Sequence, residues 1–228
     1  MSSKKIIFVT GTDTGIGKTL LAAHLLFHLR QSGINALAMK PFCSGGRADV
    51  RLLQSLQRGE LSDAEMNPFY FEKPLAPLVA ASAKNRISLA DVVARIRTVA
   101  QKCERLVIEG SGGLLVPLGP GFTVADLIHA LDCRVIVAAR NRLGTINHTL
   151  LTIQALQSLC VANAELSVVL MSARKPDLST RTNLKILNQL LRPVRVMGLP
   201  FLGANASSTA RIKANYAKVR PIIMKLNA

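Results

Sequence analysis

The sequence predicts an α/β protein, with a three-layer α/β/α arrangement of helices on both faces of a mainly parallel central sheet. Two observations carry this expectation. Six short, β-branched-rich apolar runs recur along the 228 residues. The stretches between them repeat apolar residues at spacings of three and four. Strands covered on both faces read as continuous apolar runs, whereas a helix lying on a sheet shows one apolar stripe. Strand–helix alternation favours a parallel sheet with ligands at the carboxyl ends of its strands. Hydrophobic residues make up 49% of the chain, enough for one large core, so a single domain over 1–228 is expected.

The strands are expected at Lys4–Thr10, Ile34–Lys40, Arg105–Gly110, Arg134–Ala139, Leu166–Met171 and Val194–Pro200. Helices are expected at Lys18–Gln31, Ser88–Lys102, Thr145–Leu159 and Ser179–Leu191, with a closing helix over Ser207–Leu226. Ser88 and Asp91 have the spacing of an N-terminal cap. Phe42–Ala48 and Asn67–Pro77 are expected to be irregular.

Composition narrows the function. No apolar run approaches the roughly 18 residues of a membrane span, and the apolar stretch near the start is too short for a signal peptide. The reading is a cytoplasmic protein with no membrane association. Cys43, Cys103, Cys133 and Cys160 form no CxxC pair, which argues for free thiols rather than a zinc or redox motif. The net charge is +16, but basic residues are dispersed and Trp is absent, so stacking platforms for single strands are scarce. An enzyme with anionic ligands is expected, and no nucleic-acid partner. His24 and His28 share a helix face but lack the further ligands of a zinc site.

The first apolar run leads directly into Gly11-Thr-Asp-Thr-Gly-Ile-Gly-Lys-Thr19, and a helix follows. This is a P-loop context. Backbone N–H groups turning through glycines can surround phosphate oxygens, and the helix adds its N-terminal dipole. Gly15, Ile16, Gly17, Lys18 and Thr19 form the nucleotide-binding set. Lys18 should reach the β- and γ-phosphates, and Thr19 should ligate Mg²⁺. The loop departs from the strict pattern because Thr12 holds the first glycine position. Partition-type ATPases, whose loops also deviate, stand as a rival, as does another amide-forming P-loop ligase; the former resemble this loop except that they carry a signature lysine where this chain has Thr12 and glycines where it has Asp13 and Thr14.

Lys40 ends the second run and is followed by Pro41 and the Ser44-Gly45 turn. An ammonium at a strand's carboxyl end can stabilise charge in the ligand crevice. Alone it would read as a solvated strand end; after this loop it reads as functional. Asp49 and Glu109 stand where a nucleotide-bound Mg²⁺ needs carboxylates, although Asp49 could instead cap a helix beginning near Val50.

With the P-loop, Lys-Pro-x-x-Ser-Gly at 40–45, Glu-Gly-Ser-Gly-Gly at 109–113 and Leu-Gly-Thr-Ile-Asn-His at 143–148, the chain resembles the dethiobiotin synthetases from Phe8 to about Leu202. The resemblance implies closure of a cyclic urea from 7,8-diaminononanoate and CO2 with ATP and Mg²⁺. It implies Lys18, Lys40, Thr14 and Ser44 at the reaction centre, and Thr19, Asp49 and Glu109 on the metal. Ser44, Gly112, Gly113 and the turn Gly144, Thr145, Ile146 and Asn147 would hold the diamine. That turn would come from the partner in a homodimer with shared sites. His148 is expected to pack or cap. Ser172 stands where relatives often have an adenine-reading Asn, with Pro200, Phe201 and Leu202 completing the base side. Gly15 replaces an acidic residue common in the loop.

Overall fold

The computed structural model describes residues 4–81, 87–159 and 166–227. The element order is β1 (Ile6–Gly11), α1 (Lys18–Gln31), β2 (Ala36–Met39), β3 (Phe42–Ser44), α2 (Ala48–Leu56), α3 (Asp63–Met66), β4 (Phe69–Phe71) and α4 (Pro77–Ala80). There follow α5 (Leu89–Gln101), β5 (Arg105–Glu109), β6 (Pro117–Gly119), β7 (Phe122–Thr123), α6 (Val124–Leu131) and β8 (Arg134–Asn141). The chain closes with α7 (Thr145–Leu159), β9 (Leu166–Ser172), α8 (Thr180–Leu190), β10 (Arg195–Leu199) and α9 (Thr209–Asn227).

All six expected strands join one sheet, ordered β10-β9-β8-β1-β5-β2, and every pairing in it is parallel. The continuous apolar runs are explained by cover on both faces: Val9, Ala38, Val107, Ile136 and Val169 are fully buried. Helices α1, α2 and α9 pack together, and α5, α6, α7 and α8 form a second row of neighbours. The sheet order is decisive for the site. β5 enters between β1 and β2, with Val9 in register with Glu109 and Met39 with Ile108. The loop after β1, the end of β2 and the end of β5 therefore open on the same crevice.

Helix boundaries follow local chemistry. Ser88 Oγ accepts the Asp91 amide at 3.1 Å, as its spacing predicts. Two stretches expected to be irregular are ordered instead. Phe42–Ser44 pairs in parallel with Phe69–Phe71, and the Phe42 and Phe69 rings stack with centroids 4.8 Å apart. These strands are too short to show a period in sequence. Helix α6 is an addition to the expected elements; Thr123 and Asp126 form a capping box at its start.

Cys43 and Cys103 are free and buried, as expected for thiols, and Cys133 is buried; Cys160 lies outside the described residues. No helix among the described residues is long and apolar enough to cross a membrane. His28 Nδ1 lies 2.8 Å from the Tyr216 hydroxyl, and no group of three or more His, Cys, Asp or Glu among the described residues is placed to hold a metal ion by those side chains alone.

His24 is fully buried in α1, and neither ring nitrogen has a hydrogen-bond partner among the described residues. Burial pushes its pKa down to about 4. The unfolded chain, with an ordinary histidine near 6.5, then binds the extra proton. Stability is full above that value and falls as pH drops towards 4, by up to about 3 kcal/mol from this group. We expect His24→Leu to flatten the fall in Tm between pH 7 and pH 5. An unchanged pH profile in thermal melts would show that other groups carry it.

Candidate active site

The P-loop is shaped by its glycines and by what packs beneath it. Gly15 and Gly17 take positive φ values of 68° and 101°, which side chains resist. A Cβ on Gly17 would lie 2.8 Å from the Met171 methyl, so β9 reaches the loop at this point. Ile16 turns inward and is 6% exposed, leaving its backbone, not its side chain, to face a ligand. Thr12 donates its amide to Ala138 O at 3.0 Å, and Arg140 Nη2 donates to Gly15 O at 2.7 Å. These contacts tie the loop to the end of β8.

Four expected residues converge at the carboxyl ends of β1, β2 and β5. Glu109 Oε1 accepts from Thr19 Oγ1 at 2.6 Å and from Lys40 Nζ at 2.5 Å. Lys40 Nζ also lies 2.9 Å from Asp49 Oδ2. Asp49 stands within the first turn of α2 behind the cap position Arg47, so it pairs with lysine and does not cap the helix. Asn67 holds the strand end by donating to Lys40 O at 2.8 Å.

Electrostatics follow from burial. Glu109 is 1% exposed, and burial raises its pKa against the pull of Lys40. Burial also works against the Lys40 charge, but Glu109 and Asp49 outweigh it and hold the ammonium above its ordinary range. Lys18 has no such direct pairing. Its Nζ donates to Asp13 O at 2.7 Å, and burial lowers its pKa to about 8.

A cavity of about 570 Å³ opens over these groups. Thr14, Gly15, Gly17, Lys18, Thr19, Lys40, Ser44, Asp49, Glu109 and Gly112 all line it. Ser44 Oγ and Glu109 Oε2 are buried without partners among the described residues. Such atoms are costly unless a ligand satisfies them. Oxygen donors from Thr19, Asp49 and Glu109 suit Mg²⁺, which takes one or two carboxylates plus phosphate and water rather than a full protein cage.

Other expected residues fall outside that lining. Gly113 sits against the Gly11 and Thr12 carbonyls. The turn Gly144–Asn147 lies beyond β8, where Thr145 joins Thr12, Asp13, Arg140, Arg142 and His148 around a small recess. Gly144 holds the cap position of α7, since its carbonyl accepts the His148 amide at 3.2 Å. His148 is exposed, so the expected packing role is corrected. Ser172, Pro200, Phe201 and Leu202 also lie outside, with Leu202 buried and Phe201 half-exposed. The sequence reading missed Met171, Asn67, Arg140 and the wall Pro74–Pro77. Only the two prolines of Pro74-Leu75-Ala76-Pro77 hinted at a rigid loop; the rest become visible through tertiary contact.

Fold and loop define a P-loop nucleotide-binding protein. A family model described as an AAA domain matches residues 5–204. By structure, the chain is similar to the MinC–MinD cell division complex of Aquifex aeolicus, with TM-score 0.62, 14% identity, and 97% and 94% of the two chains covered. It is also similar to a plasmid partition protein of Borrelia burgdorferi, with TM-score 0.59, 15% identity, and coverage of 98% and 99%. These likenesses concern the fold.

By sequence, it is 38% identical over 205 residues to the ATP-dependent dethiobiotin synthetase of Bacillus licheniformis, covering 87% of this chain and 84% of that one. It is 46% identical over 156 residues to that of Anaeromyxobacter dehalogenans, covering 66% and 70%. The chain belongs to the dethiobiotin synthetase family.

The buried pair gives a stability test. Lys40→Met leaves the Glu109 carboxylate without its ammonium, at an expected cost of about 3 kcal/mol in denaturant unfolding. Adding Glu109→Leu should restore much of that loss. A double variant as unstable as the single one would show that the pair is not what the site depends on.

Proposed function

We propose that the chain is an ATP-dependent dethiobiotin synthetase acting on 7,8-diaminononanoate and CO2 in the cytoplasm. The observation carrying this reading is the convergence of Lys18, Thr19, Lys40 and Glu109 on one cavity in a member of this family. One amine adds to CO2, loses a proton and becomes a carbamate. A carbamate oxygen attacks the γ-phosphorus and ADP leaves. The second amine attacks the carbonyl carbon of the resulting mixed anhydride. It expels phosphate, loses a proton and closes the ureido ring.

Each residue has a physical task in this sequence. Lys18 holds the β- and γ-phosphates, and its proximity to neutral range is offset by the charge it meets there. Lys40 receives carbamate and developing phosphoryl charge. Thr14 and Ser44 hydrogen-bond the reacting groups; the unpartnered Ser44 hydroxyl is suited to this. Thr19, Asp49 and Glu109 would hold Mg²⁺, which when bound neutralises phosphate charge. Loop amides of Gly15, Ile16 and Gly17 bind phosphate. Gly112 and Gly113 let the diamine approach the backbone. Holding both amines near one carbon makes ring closure a matter of proximity.

The diamine's carboxylate is assigned to the Gly144, Thr145, Ile146 and Asn147 turn of a partner subunit. That turn lies outside its own chain's cavity. Leu143 and Leu178 beside it are 80% and 82% exposed, and the Leu143 amide donates to Asp177 at 2.9 Å, which ties the two loops into one surface bearing both leucines. Such a surface supports a homodimer with shared sites. For the base, Ser172, Pro200, Phe201 and Leu202 are assigned, with Met171 next to the loop.

Phosphate release that depends on both diamine and bicarbonate tests the reaction; release stimulated instead by DNA or a protein would favour a partition-type switch. Lys18→Ala should lower turnover about a hundredfold or more while keeping the far-ultraviolet spectrum. Near-normal turnover would refute the assignment. Mixing Lys18→Ala chains with chains altered at Gly144–Asn147 should restore about one working site per mixed dimer. Folded mixed dimers without recovered activity would count against sharing.

A further inference from the structure

Lys40 occupies a position with two claims on it. Its Nζ lies between Glu109 Oε1 at 2.5 Å and Asp49 Oδ2 at 2.9 Å. The same Glu109 oxygen receives the Thr19 hydroxyl at 2.6 Å. These are the three oxygen-bearing residues assigned above to the metal, so the ammonium stands among the donors of that site. A buried carboxylate needs a cation, and here lysine provides it. The pairing is nevertheless incomplete, because Glu109 Oε2 has no partner among the described residues. Among the described residues the other buried lysine differs: Lys18 turns its ammonium to the Asp13 carbonyl and not to the acids.

We propose that Lys40 is the resident cation of the metal site in the empty enzyme, and that lysine and a divalent ion exclude each other from the Glu109–Asp49 pair. Two cations within a few ångströms repel strongly where water is scarce. Lys40 therefore leaves the carboxylates when a divalent ion takes them. The freed ammonium stays in the cavity it shares with Ser44 and becomes available to an anionic oxygen of the substrate. The lysine thus contacts the carbamate only in enzyme that already holds metal. This inference rests on the assignment of Thr19, Asp49 and Glu109 to the metal.

The test reads metal binding, not turnover. Mn²⁺ alone is titrated into the nucleotide-free protein and its free fraction followed by electron paramagnetic resonance. Lys40→Met is expected to bind at least about tenfold more tightly than the unaltered chain, as a change beside metal ligands can produce. Lys18→Met, which removes a nearby charge not bonded to the acids, should gain less than about threefold, since Coulomb effects weaken with distance. Unchanged or weaker binding by Lys40→Met overturns the proposal, as does an equal gain from Lys18→Met. Thermal melts provide a second readout: Mn²⁺ should raise the Tm of Lys40→Met more than that of the unaltered chain. If Lys40→Met does not fold, Lys40→Gln, which keeps a hydrogen-bond donor, undergoes both measurements with the same expected direction. Glu109→Gln binding Mn²⁺ as well as the unaltered chain would remove the metal assignment itself, a failure distinct from the lysine result.

Discussion

A carboxylate buried between two strands governs this site. Glu109 ends β5 at 1% exposure, and an isolated charge there would be prohibitively costly. Lys40 from β2 and Thr19 from α1 make it tolerable, and they do so by coming from the two sides of β5. The pairing requires the sheet order β1-β5-β2 and a register that brings the three strand ends level. Loss of any one of these would leave a buried charge unpaired, so the chemistry of the site and the stability of this end of the fold are coupled.

The phosphate loop achieves its shape without a glycine at its first position. Two later glycines take left-handed conformations, while Ile16 anchors the loop in the core against Gly11. Arg140 fastens the Gly15 carbonyl from outside. An anion approaching from the cavity side meets backbone amides and Lys18, whose ammonium is desolvated and correspondingly easy to deprotonate when alone. A phosphate there restores what burial removes.

Much of the charge of +16 lies away from this centre. Among the described residues Lys40 is paired with Glu109 and Asp49, while the buried Lys18 lines the same cavity with its ammonium on the Asp13 carbonyl. The fold shared with cell division and partition proteins accordingly does not decide function; side chains at the strand ends do.

The sequence by itself determined the six strands, the principal helices and the phosphate loop, because these depend on local period and on residues close in the chain. It also singled out Lys18, Thr19, Lys40, Asp49 and Glu109 through motif context. Tertiary structure decided their relations. That Asp49 pairs with Lys40 instead of capping α2 depends on a strand end nine residues earlier in sequence being held beside the helix start. That Met171 supports Gly17, or that Phe42 and Phe69 order two short strands around Ser44, depends on residues far apart in sequence meeting across the fold. Local propensity contains no record of such meetings; they arise when packing selects one sheet order and one register, and with them the distances between charges.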